Sequence, residues 1–219
     1  MQPNKNQQPQ QARSPQVSVA PTQAVITSRI KRRRIFKSGS DLIVLVIVTV
    51  AACWLILTYV VGFTTVNGIS MQPTLYTGNI LVVWKLPQTW AKITRGQYIP
   101  KRSNVVIVED TNNSGEMFVK RVIGLPGERI SIADGTVTVY NSKYPGGINP
   151  DKAAYGQNLI ATEGSFSGQV GAGQTFVMGD NRAAGTSIDS RSSLGNIPSG
   201  NIIGQVILRI YPLDKIKTF

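Results

Sequence analysis

Hydrophobic and polar positions divide the chain into three stretches. Residues 1–28 are rich in Gln, Pro, Ser, Ala and Asn and show no apolar period, the pattern of a disordered segment. From Leu42 to Phe63 the pattern inverts to 22 apolar or neutral residues without a charge. As a helix, such a run crosses roughly 30 Å of hydrocarbon, and it is predicted to be one transmembrane helix. It is too long for the core of a cleaved secretory signal, and no small-residue cleavage site follows it cleanly. From residue 64 onward, short branched runs recur: Ile80–Trp84, Val105–Val108, Met117–Ile123, Arg129–Ile132, Thr136–Tyr140, Thr175–Met178 and Ile202–Tyr211. Gly, Pro, Asn and Asp clusters separate them, and Asp134-Gly135 between two runs is a hairpin signal. No segment in this half carries a helical stripe over three turns. The expected fold class is therefore mostly β, preceded by one N-terminal transmembrane helix. Residues 141–174 are polar and Gly-rich and are predicted to be a long loop or loosely structured insertion.

Charge adds an orientation. The chain carries a formal +12, and residues 1–41 hold eight Lys/Arg against the single acid Asp41. The block Arg29-Ile30-Lys31-Arg32-Arg33-Arg34 lies just before the apolar run. Basic residues beside a span favour the cytoplasmic face and anionic lipid, which predicts a basic cytoplasmic tail over 1–41, a span over 42–63 and an extracytoplasmic β-domain over 64–219. A nucleic-acid role is set aside, because the basic block abuts the span and the β-domain has no aromatic-basic stripe.

Two counts narrow the chemistry. There is no histidine, so a Ser-His-Asp triad and His-based metal sites are ruled out. The lone Cys53 lies in the apolar run, so no disulfide forms within the chain and a cysteine zinc site is excluded. No cofactor or metal is expected. A hydrolase of this composition needs another base, and serine with lysine is the available pair. Ser28-Arg29-Ile30-Lys31 has the Ser-x-x-Lys spelling, but it lies in the basic tail, where nothing desolvates a lysine. Lys120 stands inside the apolar strand run with Val119, Val122 and Ile123. Burial there would lower its pKa and leave a neutral amine able to take a proton; the alternative is an ordinary exposed strand lysine. Ser70 lies in Gly68-Ile69-Ser70-Met71-Gln72-Pro73, where it is either a surface turn serine or a nucleophile held by proline-restricted backbone. In Gly179-Asp180-Asn181-Arg182 and Ser187-Ile188-Asp189-Ser190-Arg191, two acids and two arginines are placed to pair and hold turns together.

Taken in order, Ser70–Leu75, Gly78–Lys85, Lys120–Gly127, and Gly179–Arg182 with Ser187–Arg191 resemble the boxes of type I signal peptidases, membrane-bound Ser/Lys proteases of protein export. The resemblance spans residues 68 to about 204. It implies a β-domain of coiled antiparallel sheets, with signal peptides of exported preproteins as partners. It implies Ser70 as nucleophile, its backbone N–H in the oxyanion hole, and Lys120 as general base. Ser187 would orient the Lys120 amine, and Asp180–Arg121 and Asp189–Arg191 would pair as scaffold with Arg182 nearby. Val66, Ile69 and Val119 would line small pockets for alanine-sized residues, the substrate binding as an added strand. Two departures stand out. Gly68 occupies a position where some relatives carry a serine hydroxyl donor. Four residues, Ala183 to Thr186, separate Arg182 from Ser187 where the family has two, which leaves Thr186 as an alternative orienting group.

The same Ser/Lys chemistry occurs in self-cleaving repressors, which carry a DNA-binding domain and no span. An inactive membrane-anchored β-domain that binds exported chains is the reading from another class; intact Ser70 and Lys120 weigh against it.

Overall fold

The computed structural model describes residues 39–110 and 115–219. The basic block and most of the tail lie outside the described residues. The apolar run forms α1 (Gly39–Tyr59), with its side chains exposed along its length. The helix stops four residues before Phe63, where the sequence placed its end. Val61–Thr65 is instead the first strand, β1, paired antiparallel with β2 (Ile80–Trp84). The physical reason is local. Val60, Val61 and Phe63 favour extended backbone as readily as helix, and β2 offers a complete ladder for them.

The remaining strands are β3 (Val105–Glu109), β4 (Met117–Gly124), β5 (Arg129–Ala133), β6 (Thr136–Tyr140), β7 (Phe166–Gln169), β8 (Gln174–Met178), β9 (Ile197–Pro198), β10 (Ile202–Tyr211) and β11 (Lys217–Thr218). Every pairing is antiparallel. The larger sheet runs β1-β2-β10-β3-β4-β8-β9, with β11 on β10; the smaller runs β6-β5-β7. Four register shifts bend the larger sheet, three in β10 and one at Val122/Gly124 of β4. Such bulges increase local twist and give the sheet its coil.

Alternation along the strands explains three apolar clusters. In β3, Val105 and Ile107 join one cluster with Met71, Leu75, Leu81 and Val206, while Val106 and Val108 join another with Val122, Val177 and Ile202. A strand buried on both faces must be apolar throughout, and Val-Val-Ile-Val is. The third cluster lies between the sheets, with Ile130, Ile132, Val137 and Val139 against Ile123, Phe176 and Met178.

Two elements differ from the sequence expectation. Leu86–Ile93 is a helix, α2, two turns long. Residues 141–174 are not a loose insertion. They contain 3-10 turns at Pro150–Lys152 and Ala154–Asn158, and they supply β7, the third strand of the smaller sheet. Their order comes from polar ties and from three scattered apolar residues: Asn149 caps the first turn, Asp151 pairs with Arg182, and Ile148, Phe166 and Val170 pack into the cluster between the sheets.

Candidate active site

Ser70 sits in the connection from β1 to β2. The turn is bonded from Gln72 N to Ile69 O (3.1 Å) and from Leu75 N to Met71 O (2.8 Å), and the Gln72–Pro73 peptide is cis. Met71 and Leu75 are buried in the first cluster, which anchors the turn, and Ser70, just before them, is half-buried. Just upstream, Gly68 has φ 106°, a left-handed conformation that favours glycine. Its N–H donates to Thr77 Oγ1 (3.1 Å), and that hydroxyl donates back to Gly68 O (3.0 Å). A serine in place of Gly68 would strain this backbone, which accounts for the missing hydroxyl.

Lys120 lies in the middle of β4, opposite Val106 of β3. Period-two alternation puts it on the strand face shared by Phe118 and Val122, both part of the β3–β8 cluster. The result is a lysine only 1% exposed, its Nζ 5.2 Å from the Phe118 ring centroid. Nζ donates to Ser70 Oγ at 2.9 Å. Burial lowers the Lys120 pKa from 10.5 to about 8; the Asp189 and Asp180 carboxylates pull it up and Arg191 pushes it down. The neutral amine is thus accessible near neutral pH and already within proton-transfer distance of the serine hydroxyl.

The chain after β8 closes the site. Asp180 accepts two bonds from Arg121, Nε to Oδ1 (2.8 Å) and Nη2 to Oδ2 (2.6 Å). Asp189 takes Arg191 in the same two-pronged way, at 3.0 and 2.9 Å, and also accepts from Gly179 N (3.1 Å). Burial opposes the Asp189 charge, but Arg191 and the backbone donor together hold its pKa down. Arg182, fully buried, does not pair within these boxes. Its guanidinium grips Asp151, Nη2 to Oδ1 at 2.6 Å, and bonds Thr162 Oγ1 (2.9 Å) and Gly179 O (3.0 Å). Tyr155 donates to Asp151 (3.0 Å) and lies under the Arg121 guanidinium at 4.1 Å.

The two candidate orienting hydroxyls differ. Thr186 Oγ1 donates to Ala183 O (2.8 Å) and Asn181 O (3.2 Å), so it is spent within its own loop. Ser187 Oγ is buried, makes no hydrogen bond of normal geometry, and lies close enough to Asp189 to help keep that carboxyl ionised. A bond from Ser187 to Lys120 is not formed in this structure. Of the candidate pocket residues, Val66 is buried in the first cluster, Val119 packs half-buried against it, and Ile69 is exposed.

Sequence reasoning assigned no role to four residues that build the site. Asn181 ties the β8 loop to the turn that carries Ser70, N to Ser70 O (2.9 Å) and Nδ2 to Ile69 O (3.2 Å). Gly179 allows close approach: a Cβ there would fall 2.5 Å from Ser187 Oγ and against the Ser70 carbonyl oxygen. Both lie inside a matched box, which was the available signal. Asp151 and Tyr155 had none, since their partners are distant in sequence. Among the described residues no group of His, Cys, Asp and Glu gathers to hold a metal.

The family model described as "Signal peptidase, peptidase S26" matches residues 39–211. The chain is 32% identical to signal peptidase I U of Bacillus subtilis over 198 residues, covering 87% of this chain and 96% of that one. It is 34% identical to signal peptidase I of Bacillus caldolyticus over 159 residues, covering 68% and 79%. A crystal structure of signal peptidase I from Enterococcus faecalis overlaps 50% of this chain and 98% of that one, at 25% identity and a TM-score of 0.38. That overlap is too partial to add to the fold, which the sheets themselves establish. On the match over residues 39–211 and these relatives, the chain belongs to the signal peptidase family, peptidase S26, and is a serine endopeptidase of the signal peptidase I type.

Proposed function

We propose that this protein removes N-terminal signal peptides from exported preproteins at the outer face of the membrane, with Ser70 as nucleophile and Lys120 as general base. The observation that carries the assignment of roles is the 2.9 Å approach of a buried lysine to Ser70 Oγ. The neutral amine takes the hydroxyl proton as Oγ bonds to the scissile carbonyl carbon. The resulting ammonium then protonates the departing amine, leaving an acyl-enzyme. Water, deprotonated by the same amine, releases the acyl group. The backbone N–H of Ser70 donates to the oxyanion that forms at each step. Ser187 orients the amine in this reading, supported by its buried Oγ having no hydrogen bond of normal geometry while Thr186 Oγ1 is spent within its own loop.

The substrate enters as a strand. Supporting this, β8 pairs with β4 only from Arg121 to Gly124, whereas Met117–Lys120 pairs with β3 alone. That half of β4 keeps one edge open beside the nucleophile turn. Ile69 and Val119 border the bound strand, with Val66 as the floor beneath them.

The family is membrane-anchored, and α1 is long and apolar enough to cross a bilayer. In the proposed topology the basic N-terminal tail is cytoplasmic, α1 spans, and the β-domain works outside, where a signal peptide's cleavage site emerges. The test is cleavage of a preprotein with an Ala-x-Ala site by detergent-solubilised wild type, Ser70→Ala and Lys120→Ala. Processing by wild type alone, rising with pH through about 8, is expected. Full activity in Lys120→Ala would overturn the assignment of the base.

A further inference from the structure

Helix α2 is built inside out. Its outward stripe is Leu86, Trp90 and Ile93, one face of a helix at spacings of four and three, with Trp90 64% and Ile93 69% exposed. Its inward face buries Ala91 and a polar residue, Gln88, whose Nε2 donates to Ser199 O (3.0 Å). A helix seated for the sake of the protein core would present these faces the other way. An exposed tryptophan and two large aliphatics on one short helix mark a contact surface.

The helix is also fixed to the exit of α1. Thr89 Oγ1 donates to Tyr59 O (2.8 Å), Lys85 Nζ to Thr58 O (3.4 Å), and Lys85 N to Val60 O (2.8 Å). Thr58 and Tyr59 are the last two residues of α1. Between α1 and α2 lies a groove of about 380 Å³, bordered by Thr58, Tyr59, Lys85, Thr89, Lys92 and Ile93. No acidic side chain borders it. Wherever the end of α1 leaves the hydrocarbon, α2 is held at the same depth.

We propose that α2 is an interfacial anchor: Leu86, Trp90 and Ile93 lie in the headgroup layer of the bilayer that α1 crosses, and Lys85 and Lys92 bind the phosphate of an anionic lipid in the groove. The occupant follows from the chemistry of the site. Continuity with α1 supplies a lipid surface, the apolar stripe matches the acyl boundary, and two cations with no acid match an anionic headgroup. Such an anchor would set the orientation of the β-domain over the membrane, which a single span leaves free to rotate.

The inference rests on the reading that α1 spans the bilayer, and the experiment separates the two. The full chain is reconstituted in nanodiscs of phosphatidylcholine alone or with about 30% phosphatidylglycerol, using lipids brominated at shallow or deep acyl positions. The tryptophans are Trp54 in α1, Trp84 in β2 and Trp90 in α2. Comparison with Trp54→Phe and Trp90→Phe assigns the quenching to each. Quenching of Trp54 by deep bromines reports the span. Quenching of Trp90 by shallow bromines, stronger with phosphatidylglycerol, is the expected result for α2. Lys85→Gln with Lys92→Gln should lower the docked-to-undocked ratio by about fivefold per lysine. Inorganic phosphate at millimolar concentration should not reproduce the effect of the lipid. Trp54 quenched but Trp90 unquenched, or Trp90 quenching indifferent to both lysines and lipid charge, overturns the anchor while leaving the span. Cleavage of a short soluble peptide in detergent checks each variant's catalytic site independently of the membrane.

Discussion

Replacing Lys120 by methionine should abolish cleavage and make the protein more stable at neutral pH. The argument is one of linkage. An unfolded chain holds the lysine near its ordinary pKa of 10.5, whereas burial in β4 lowers it to about 8. Below pH 8 both states are protonated, and the folded state carries the whole cost of an ammonium in a site that disfavours it. At about 1.36 kcal/mol per unit, that cost is about 3 kcal/mol. As pH rises from about 8 to about 10.5 the folded protein sheds its proton while the unfolded chain retains it, so the cost fades through that window. Methionine fills the same unbranched space without the charge. It forfeits the 2.9 Å bond to Ser70, worth about 1 kcal/mol, leaving a net gain of about 2 kcal/mol at pH 7. For a domain of this size that is a rise in Tm of about 4–8 °C. The assay is thermal unfolding of both proteins in detergent at pH 7 and pH 10. The expected gap is positive at pH 7 and closes at pH 10, because every other titrating group is common to both. A methionine variant no more stable at pH 7, or a gap that ignores pH, would refute the claim that burial depresses this lysine.

Four further outcomes follow from the geometry. Ser187→Ala should lower kcat by about tenfold to a hundredfold, and Thr186→Ala should lie within about twofold of wild type, since Ser187 Oγ is buried without a hydrogen bond of normal geometry while Thr186 is spent within its own loop; pH–rate curves of both decide it. Arg191→Gln should move the midpoint of the pH–rate curve above about 8 with little change in the plateau, because Asp189 is then freer to stabilise the Lys120 ammonium; an unmoved midpoint contradicts this. Gly179→Ala should cost about 1–3 kcal/mol in a urea titration and lose cleavage, since the new methyl meets Ser187 Oγ and the Ser70 carbonyl. Asp151→Ala should destabilise by about 3–5 kcal/mol in the same titration by orphaning the buried Arg182, with Asp151→Asn losing less.

What could be read from the sequence follows how local each signal is. The long strands were legible because branched runs bounded by Gly, Pro and Asp leave little choice: Ile80–Trp84, Thr136–Tyr140 and Ile202–Tyr211 match the observed strands end to end. β1 was hidden inside an apolar run, since Val61–Phe63 is as hydrophobic as the helix before it. α2 was missed because its eight residues point their apolar side outward, against the pattern that marks a core helix. Ser70 and Lys120 were legible as members of boxes in order. Whether Lys120 was buried was not, because its desolvation comes from packing of β3 and β8 around β4. The ordering of residues 141–174 was illegible for a related reason. Asp151 and Tyr155 bond each other and reach Arg182 and Arg121, and no local spacing announces partners some thirty residues away.

The charge balance around Lys120 shows why those distant partners matter to the chemistry. Of three carboxylates near the site, Asp151, Asp180 and Asp189, the last two act on Lys120 directly, and either left unpaired could hold the lysine as an ammonium. Each instead has its own arginine: Arg182, Arg121 and Arg191 respectively. A carboxylate that shares its charge with a guanidinium exerts little net field on a third group. Burial then remains the largest influence on the amine, which is the order of causes found for Lys120. The ion pairs are therefore more than scaffold. They fix the loop after β8 against the turn that carries Ser70, and by neutralising one another they leave the Lys120 amine free to lose its proton. Asp151 ties the segment 141–174 to this arrangement from behind: without it, Arg182 would be a bare cation behind Gly179, and the loop carrying Asp180 and Asn181 would lose its rear support.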